Sequence, residues 1–411
     1  MKIVAPYAYF TPEKAASSYL WNNLHESFAE NDYDCVVYVP TPTRGVSEKI
    51  RNDYKRRRVE LLYNGKLIIN RFRLYGEGKN PLLRALRYVL SCLIQLYKCL
   101  FANYSKNSDI IFVVSTPPIL GIVGVLVKKL KHIPFVYNLQ DIFPDSLVGT
   151  GLAKKDGLLW KIGRAIENFT YRNADKIIVI SEDFKRNIMA KGVPEEKIEV
   201  IYNWVDEKAV LPVAKEDNPL FEEFGLSREK FTVVYAGNLG NAQNISIILD
   251  SAAQLPNIQF AMFGTGGLEN EVLERIAKEK LANVHLNPLQ PYERVSQVYS
   301  LGDVCVVSCK EGLGGSAMPS KTWTIMSCGR PVIASFDEGE LKEILEKNNC
   351  GVFSHAGNVN EFVAAIKKLA TERERCEEMG RNGREFILHN LTKEVGTRKY
   401  VEVIRSFAPK G

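Results

Sequence analysis

Short apolar runs recur along the chain and alternate with longer stretches whose apolar positions fall three and four apart. The short runs predict strands at Lys2–Tyr7, Cys35–Val39, Leu67–Phe72, Ile110–Val114, Phe135–Asn138, Ile177–Ile180 and Glu199–Tyr202. A second set follows at Thr232–Tyr235, Gln259–Phe263, Val284–Leu286, Val304–Val307 and Val332–Ala334. The stretches between, such as Ala15–Ala29, Leu82–Ala102, Leu158–Arg172 and Glu182–Ala190, predict helices. Strands apolar on both faces and alternating with helices belong to parallel sheets covered on both sides. The plan occurs twice. Between the copies, residues 206–228 hold Pro212, Pro219, Gly225 and several charges without a sustained apolar period, which predicts a linker. The expected organisation is a first α/β domain over 1–205, a linker over 206–228 and a second α/β domain over 229–388. A C-terminal helix over 389–411 is expected to pack back on the first domain.

Two segments admit more than one reading. Ile110–Val127 carries no charge and approaches the length of a membrane span, but Pro117-Pro118 interrupts it. A buried strand, a turn and a helix fit it better. In the helix Leu82–Ala102 the polar residues Arg84, Arg87, Ser91, Gln95 and Lys98 share one stripe and nearly everything else is apolar. That predicts a helix buried in the first domain with the stripe as its wet edge. The other reading is an interfacial helix whose Arg and Lys reach lipid phosphates. The cluster Arg51, Lys55, Arg56, Arg57, Arg58 reads either as an exposed charged loop or as a contact for anionic lipid or a diphosphate.

Composition narrows the partners. The 411 residues suit two or three domains, and 45% hydrophobic with 25% charged residues is ordinary for a globular chain. The net charge of +6 is uneven: residues 1–205 carry +10 and the remainder −4. A basic first half reads either as a solvated surface with no partner or as a face for an anionic partner such as a membrane surface, lipid phosphate or nucleic acid. No nucleic-acid-binding motif accompanies it. The eight cysteines form no C-x-x-C pair and lie mostly in apolar runs, as reduced thiols of a cytoplasmic protein do. The five histidines show no metal-ligand spacing, and the chain opens on a strand with no visible signal peptide.

In open α/β sheets ligands bind beyond the carboxyl ends of strands, so the residues after each strand carry the candidate chemistry. After Thr232–Tyr235 comes Ala236-Gly237-Asn238-Leu239-Gly240-Asn241-Ala242-Gln243-Asn244, expected to lead into a helix, either with its N-terminus facing a phosphate or as a turn that serves packing alone. After Gln259–Phe263 comes Gly264-Thr265-Gly266-Gly267, either a nucleotide contact or a plain tight turn. After Val304–Val307 a loop with Gly312, Gly314 and Gly315 leads to Pro319, expected to open a helix carrying Ser320, Lys321 and Thr324. A lysine at a helix N-terminus opposes the dipole, which favours an anion there. In the first half Asp141 follows Phe135–Asn138, placed either to face a ligand or to cap a turn.

With these segments in hand, the chain resembles retaining glycosyltransferases of family 4, with the GT-B fold of two Rossmann-like lobes facing a cleft. The resemblance rests on Ser181-Glu182, Gly192-Val193-Pro194, Val200 through Asp206, Ala236 through Gln243, Gly302-Asp303-Val304 and Cys328 through Ala334. Gly237-Asn238-Leu239-Gly240 and Pro319-Ser320-Lys321 look most like a subgroup making O-antigen, capsule or exopolysaccharide, such as the fucosamine transferases. The resemblance implies a nucleoside-diphosphate sugar, UDP-linked, in the second lobe and a lipid-linked saccharide acceptor at the first. It also implies retention of configuration, no metal or other cofactor, and a place on the cytoplasmic membrane face. The chain departs from the family at four positions. An Arg and a Lys that hold the diphosphate are Asn238 and Gln243 here, and two glutamates are Ser316 and Thr324. Lys321 is the expected substitute cation and Glu311 a substitute carboxylate. The expected roles are Asp141 on the acceptor hydroxyl, and Lys321 with Gly240, Gly264 and Ser320 on the donor. A sugar-nucleotide epimerase and a non-catalytic sugar-nucleotide-binding subunit are the alternatives.

Overall fold

The computed structural model describes residues 1–13, 18–78, 80–145, 148 and 154–408. The chain forms two compact units: Met1–Tyr202 with Gly396–Gly411, and Asn203–Val395.

Unit 1 is built on eight strands: β1 (Lys2–Pro6), β2 (Asp34–Pro40), β3 (Val59–Leu62), β4 (Leu67–Phe72), β5 (Ile110–Val114), β6 (Phe135–Leu139), β7 (Lys176–Val179) and β8 (Ile198–Val200). Their order is β3-β4-β2-β1-β5-β6-β7-β8. All neighbours are parallel except the edge pair β3–β4. β5 and β6 are buried along their whole length, as expected of β-branched and aromatic runs covered on both faces. The helices are α1 (Ser18–Glu30), α2 (Glu48–Arg56), α3 (Pro81–Phe101), α4 (Leu120–Lys131), α5 (Leu158–Asn173) and α6 (Glu182–Ala190).

Unit 2 contains α7 (Leu220–Glu223), β9 (Thr232–Asn238), α8 (Ser246–Gln254), β10 (Gln259–Thr265), α9 (Glu269–Glu279), β11 (Val284–Asn287), α10 (Val295–Ser300), β12 (Val304–Ser308), α11 (Lys321–Ser327), β13 (Val332–Phe336), α12 (Glu340–Lys347), β14 (Gly351–His355), α13 (Val359–Thr371) and α14 (Arg373–Asn390). Its all-parallel sheet runs β11-β10-β9-β12-β13-β14. Counted within the unit, that is the order 3-2-1-4-5-6 of nucleotide-binding sheets, which reverses between β9 and β12. Residues 206–228 are held on this unit: Asn218 Nδ2 donates to the Gln297 carbonyl at 2.7 Å, and Leu220 and Phe221 are fully buried. The last helix, α15 (Lys393–Arg405), brings Tyr400 edge-on to Phe112 of unit 1, centroids 6.2 Å apart.

Two expectations are corrected. The middle of the α3 polar stripe is not a wet edge but the buried face: Arg87 is 2% exposed and Gln95 0%, while Arg84 at one end stays exposed. The outward face is the apolar one, with Leu93, Tyr97 and Phe101 at 57%, 64% and 68%. The reason is hydrogen bonding at the sheet. Gln95 Nε2 donates to the carbonyls of Tyr7 (2.7 Å) and Tyr38 (3.0 Å). Arg87 reaches Thr43 Oγ1 at 3.2 Å and the Tyr75 carbonyl, and Lys98 Nζ reaches Asn70 Oδ1 at 3.0 Å. Carbonyls at a buried strand end need donors, and α3 supplies them. The second correction concerns the basic cluster. Arg51, Lys55 and Arg56 lie on α2, whose N-terminus Ser47 caps, and only Arg57 and Arg58 are outside it.

The eight cysteines are buried and unpaired. Among the described residues no helix is long and apolar enough to cross a membrane.

Candidate functional site: the carboxyl ends of β9 and β12

β9 runs three residues beyond its apolar run, to Asn238, because β10 stays paired with it as far as Thr265. Glycines make that close approach possible. A Cβ on Gly264 would lie 2.6 Å from the Gly237 carbonyl oxygen, and one on Gly266 2.4 Å from that of Leu239. Gly237 itself has φ 143°, which side chains rarely adopt.

Past Asn238 the chain enters a single 3-10 turn, Asn241–Gln243, followed by left-handed Asn244, and α8 begins only at Ser246. The expected helix N-terminus after Gly240 is thereby corrected. Asn tolerates the left-handed region, so the turn can end there before α8 starts. The donors nearest Gly240 are the first N–H groups of this turn. Asn238 and Gln243 meet across it, Nδ2 to Oε1 3.4 Å, close over Gly240. The β12 side is stapled to the turn: Ser308 Oγ donates to the Gln243 carbonyl at 2.5 Å, and Lys310 N to that of Ala242 at 2.9 Å. Glu311 follows Lys310 and is exposed.

The next arm brings the cation. Pro319 and Ser320 form a turn and α11 opens later than the expected proline start, at Lys321. Lys321 Nζ stands 4.3 Å from the centroid of the Tyr235 ring and 2.9 Å from where a Gly237 Cβ would be. Burial pushes this ammonium down to about 8, and no carboxylate among the described residues offsets it. Tyr235 is fully buried and its Oη donates to the Asn238 carbonyl at 2.7 Å. One aromatic ring thus supports the ammonium and pins the end of β9. Ser320 is exposed with no side-chain capping bond, Thr324 is half-buried one turn beyond Lys321, and the Ser316 side chain lies outside the described residues.

Gly237 also borders a cavity of 220 Å³, walled by Phe263, Leu289, Pro291, Tyr292 and Tyr299. Its mostly apolar walls suit a planar ring. Gly237 thus borders both an apolar slot and a cation, groups that can take a planar ring and an anion. Sequence reasoning missed Tyr235 and the slot. Tyr235 reads only as a strand residue, and Leu289–Tyr292 lie in a loop with no motif.

In unit 1, Asp141 lies two residues beyond β6 and is half-buried. Burial, then the charges of Glu167 and Asp141, hold the nearby Tyr137 phenol above its usual range. At the carboxyl ends of β1, β2 and β4 a further polar cluster gathers. Tyr9 Oη donates to Glu77 Oε2 at 2.9 Å and lies 2.8 Å from Tyr88 Oη, and the Arg44 guanidinium stands 5.3 Å from the Tyr9 ring centroid. No spacing along the chain joins these residues, so only the fold reveals the cluster.

Two outcomes follow from the donor-site geometry. Gly237→Ala must push Lys321 away and strain the backbone, so titration calorimetry should show UDP affinity falling about thirty-fold, equivalent to ~2 kcal/mol. UDP affinity should also be flat below pH 8 and fall about tenfold per unit above it. The sign follows because an ammonium of pKa about 8 in the free protein must take up a proton to meet the diphosphate.

Comparison with known proteins places the two halves of the chain beside glycosyltransferases. The family model described as glycosyl transferases group 1 matches residues 217–386, and that described as Glycosyltransferase Family 4 matches residues 18–209. WbjE of Pseudomonas aeruginosa, named as a glycosyltransferase, is 27% identical over 68% of this chain and 70% of its own. WcaI of Escherichia coli (strain K12), named for colanic acid biosynthesis, is 28% identical with the same coverage. Among solved structures, HepE of Anabaena in complex with UDP aligns with a TM-score of 0.73 at 16% identity, covering 99% of this chain and 100% of its own. Sucrose-phosphate synthase of Thermosynechococcus elongatus gives 0.77 at 17%, covering 98% of each chain. The fold is that of GT-B glycosyltransferases, an α/β architecture of two parallel-sheet domains. A glycosyltransferase model thus matches each half of the chain, and one of its relatives is named for colanic acid biosynthesis.

Proposed function

We propose that the protein moves a hexosyl or N-acetylhexosaminyl group from a UDP-linked sugar to a lipid-linked saccharide in O-antigen, capsule or exopolysaccharide synthesis. Retention of configuration and a donor of the fucosamine type follow from the resemblance at Gly237–Gly240 and Pro319–Lys321. The observation that carries the reading is the Lys321 ammonium, buried without a carboxylate beside Gly237 at the switch point of the unit 2 sheet. HepE, solved with UDP and with UDP-glucose, supports the choice of base.

In the proposed reaction the bond between the sugar C1 and the diphosphate oxygen breaks as the acceptor oxygen bonds to C1. The leaving diphosphate gains negative charge, which Lys321, the turn N–H groups after Gly240 and the Ser320 hydroxyl stabilise in place of a metal. Asn238 and Gln243 supply neutral amide donors where most of the family has cations. In this reading Glu311 takes the place of the family's sugar-binding carboxylate and Thr324 that of its ribose-binding one. Asp141 takes the acceptor proton, and the Tyr9–Glu77 cluster offers a ring face and a carboxylate to the acceptor saccharide. The anionic inner face of the cytoplasmic membrane presents that acceptor to unit 1.

Mass-spectrometric turnover of a UDP-sugar panel, with and without lipid-diphosphate-sugar acceptors, tests this. A glycosylated lipid with released UDP is the expected result. Conversion of one donor to its isomer without acceptor would establish an epimerase instead, and binding without turnover a sugar-nucleotide-binding subunit.

A further inference from the structure

The inverted helix α3 leaves a surface that the donor site does not use. Leu82, Leu86, Val89, Leu93, Tyr97 and Phe101 are exposed and follow one another at spacings of three and four. They form one continuous helical stripe. Scattered exposed leucines are ordinary, but a full stripe on a 21-residue helix is not. The stripe has neighbours of the same kind. α3 packs on α4, and α4 on α5. Leu130 of α4 and Leu158, Leu159 and Ile162 of α5 are exposed too. Lys154, Lys155 and Lys161 stand exposed among them.

Charge identifies the occupant. Lys55, Arg56, Arg57 and Arg58 are exposed, and the run leads directly into β3, where Val59, Leu61 and Leu62 are exposed as well. Arg58 lies close enough to Lys98 of α3 that its charge, after burial, holds the Lys98 ammonium below its usual range. The basic run therefore flanks the same helix whose outward stripe is apolar. Apolar residues backed by lysine and arginine are what an anionic phospholipid surface binds. A second copy of this chain fits less well, because a two-fold interface would set two cationic rims together.

We propose that this face of unit 1 lies on an anionic bilayer, with the α3 stripe at the acyl boundary and Lys55–Arg58 on the headgroup phosphates. The proposal deepens the reading of a lipid-linked acceptor and rests on it for its purpose.

Flotation with phosphatidylcholine vesicles, with and without phosphatidylglycerol, provides the test. The wild-type chain is expected to float with the phosphatidylglycerol vesicles and to detach as salt rises. Leu93→Ser/Tyr97→Ser should lower the partition coefficient about tenfold or more. Arg56→Ala/Arg57→Ala/Arg58→Ala should lower it about a hundred-fold, at ~fivefold per charge. Both variants should keep the thermal midpoint and the UDP affinity of the wild type. Absence of flotation with phosphatidylglycerol vesicles overturns the proposal. So does a dimer in light scattering that Leu93→Ser/Tyr97→Ser converts to monomer, since the stripe would then be a subunit interface. UDP binding is read separately, so its failure counts against the donor-site reading and not against membrane docking.

Discussion

Replacing Lys321 with methionine is expected to remove most of the UDP affinity and to stabilise the unliganded protein at once. The ammonium is held down to about 8 by burial, against an ordinary value of 10.5. A folded-state pKa below the unfolded one means the fold disfavours the charged form. The penalty is therefore complete below pH 8 and vanishes as pH rises through 10.5. At neutral pH it amounts to about 3 kcal/mol, of which the Tyr235 ring returns part. Methionine fills a similar volume without the charge. The apo midpoint should rise by several degrees at neutral pH, at about 2–4 °C per kcal/mol for a unit of this size, and the difference should disappear near pH 10.5. UDP affinity should fall by about 10²–10³, the cost of leaving a buried diphosphate charge unpaired. Differential scanning fluorimetry with and without UDP reads both effects. A variant less stable than wild type would show that the lysine is structural.

Asp141→Asn is expected to separate binding from transfer. If the Asp141 carboxylate takes the acceptor proton, its amide removes the base while keeping the shape. Turnover should then drop by about 10²–10⁴. UDP affinity should stay as it is, because the donor residues all lie in unit 2. Steady-state kinetics with the acceptor, beside calorimetry with UDP, gives the two numbers. Near-normal turnover in Asp141→Asn would confine this residue to shaping the turn after β6.

The strands were legible wherever burial on both faces produced an unbroken apolar run. Ile110–Val114, apolar and buried at every position, has the same limits in sequence and structure. β3 was not legible, because an edge strand with its leucines in solvent has no buried face to impose an alternation. β14, Gly-Val-Phe-Ser-His, is too short and mixed to stand out. The α3 stripe was found, but periodicity does not say which side of a helix faces the sheet. In the fold it is the polar side that meets the sheet, where the Gln95 amide donates to the carbonyls of Tyr7 and Tyr38. The site shows the same division. Lys321 was conspicuous because a cation opening a helix opposes the dipole. Its support by Tyr235, 86 positions earlier, exists only once β9 and α11 are brought together by the fold.

The central claim is that the Lys321 ammonium meets the diphosphate, and proton linkage reads it most directly. UDP binding should be titrated near pH 8 in buffers of different ionisation enthalpy. The account predicts uptake of about half a proton per UDP bound, declining toward zero a unit or two below that pH and missing in Lys321→Met. Binding without proton uptake, or the same uptake in Lys321→Met, would contradict it.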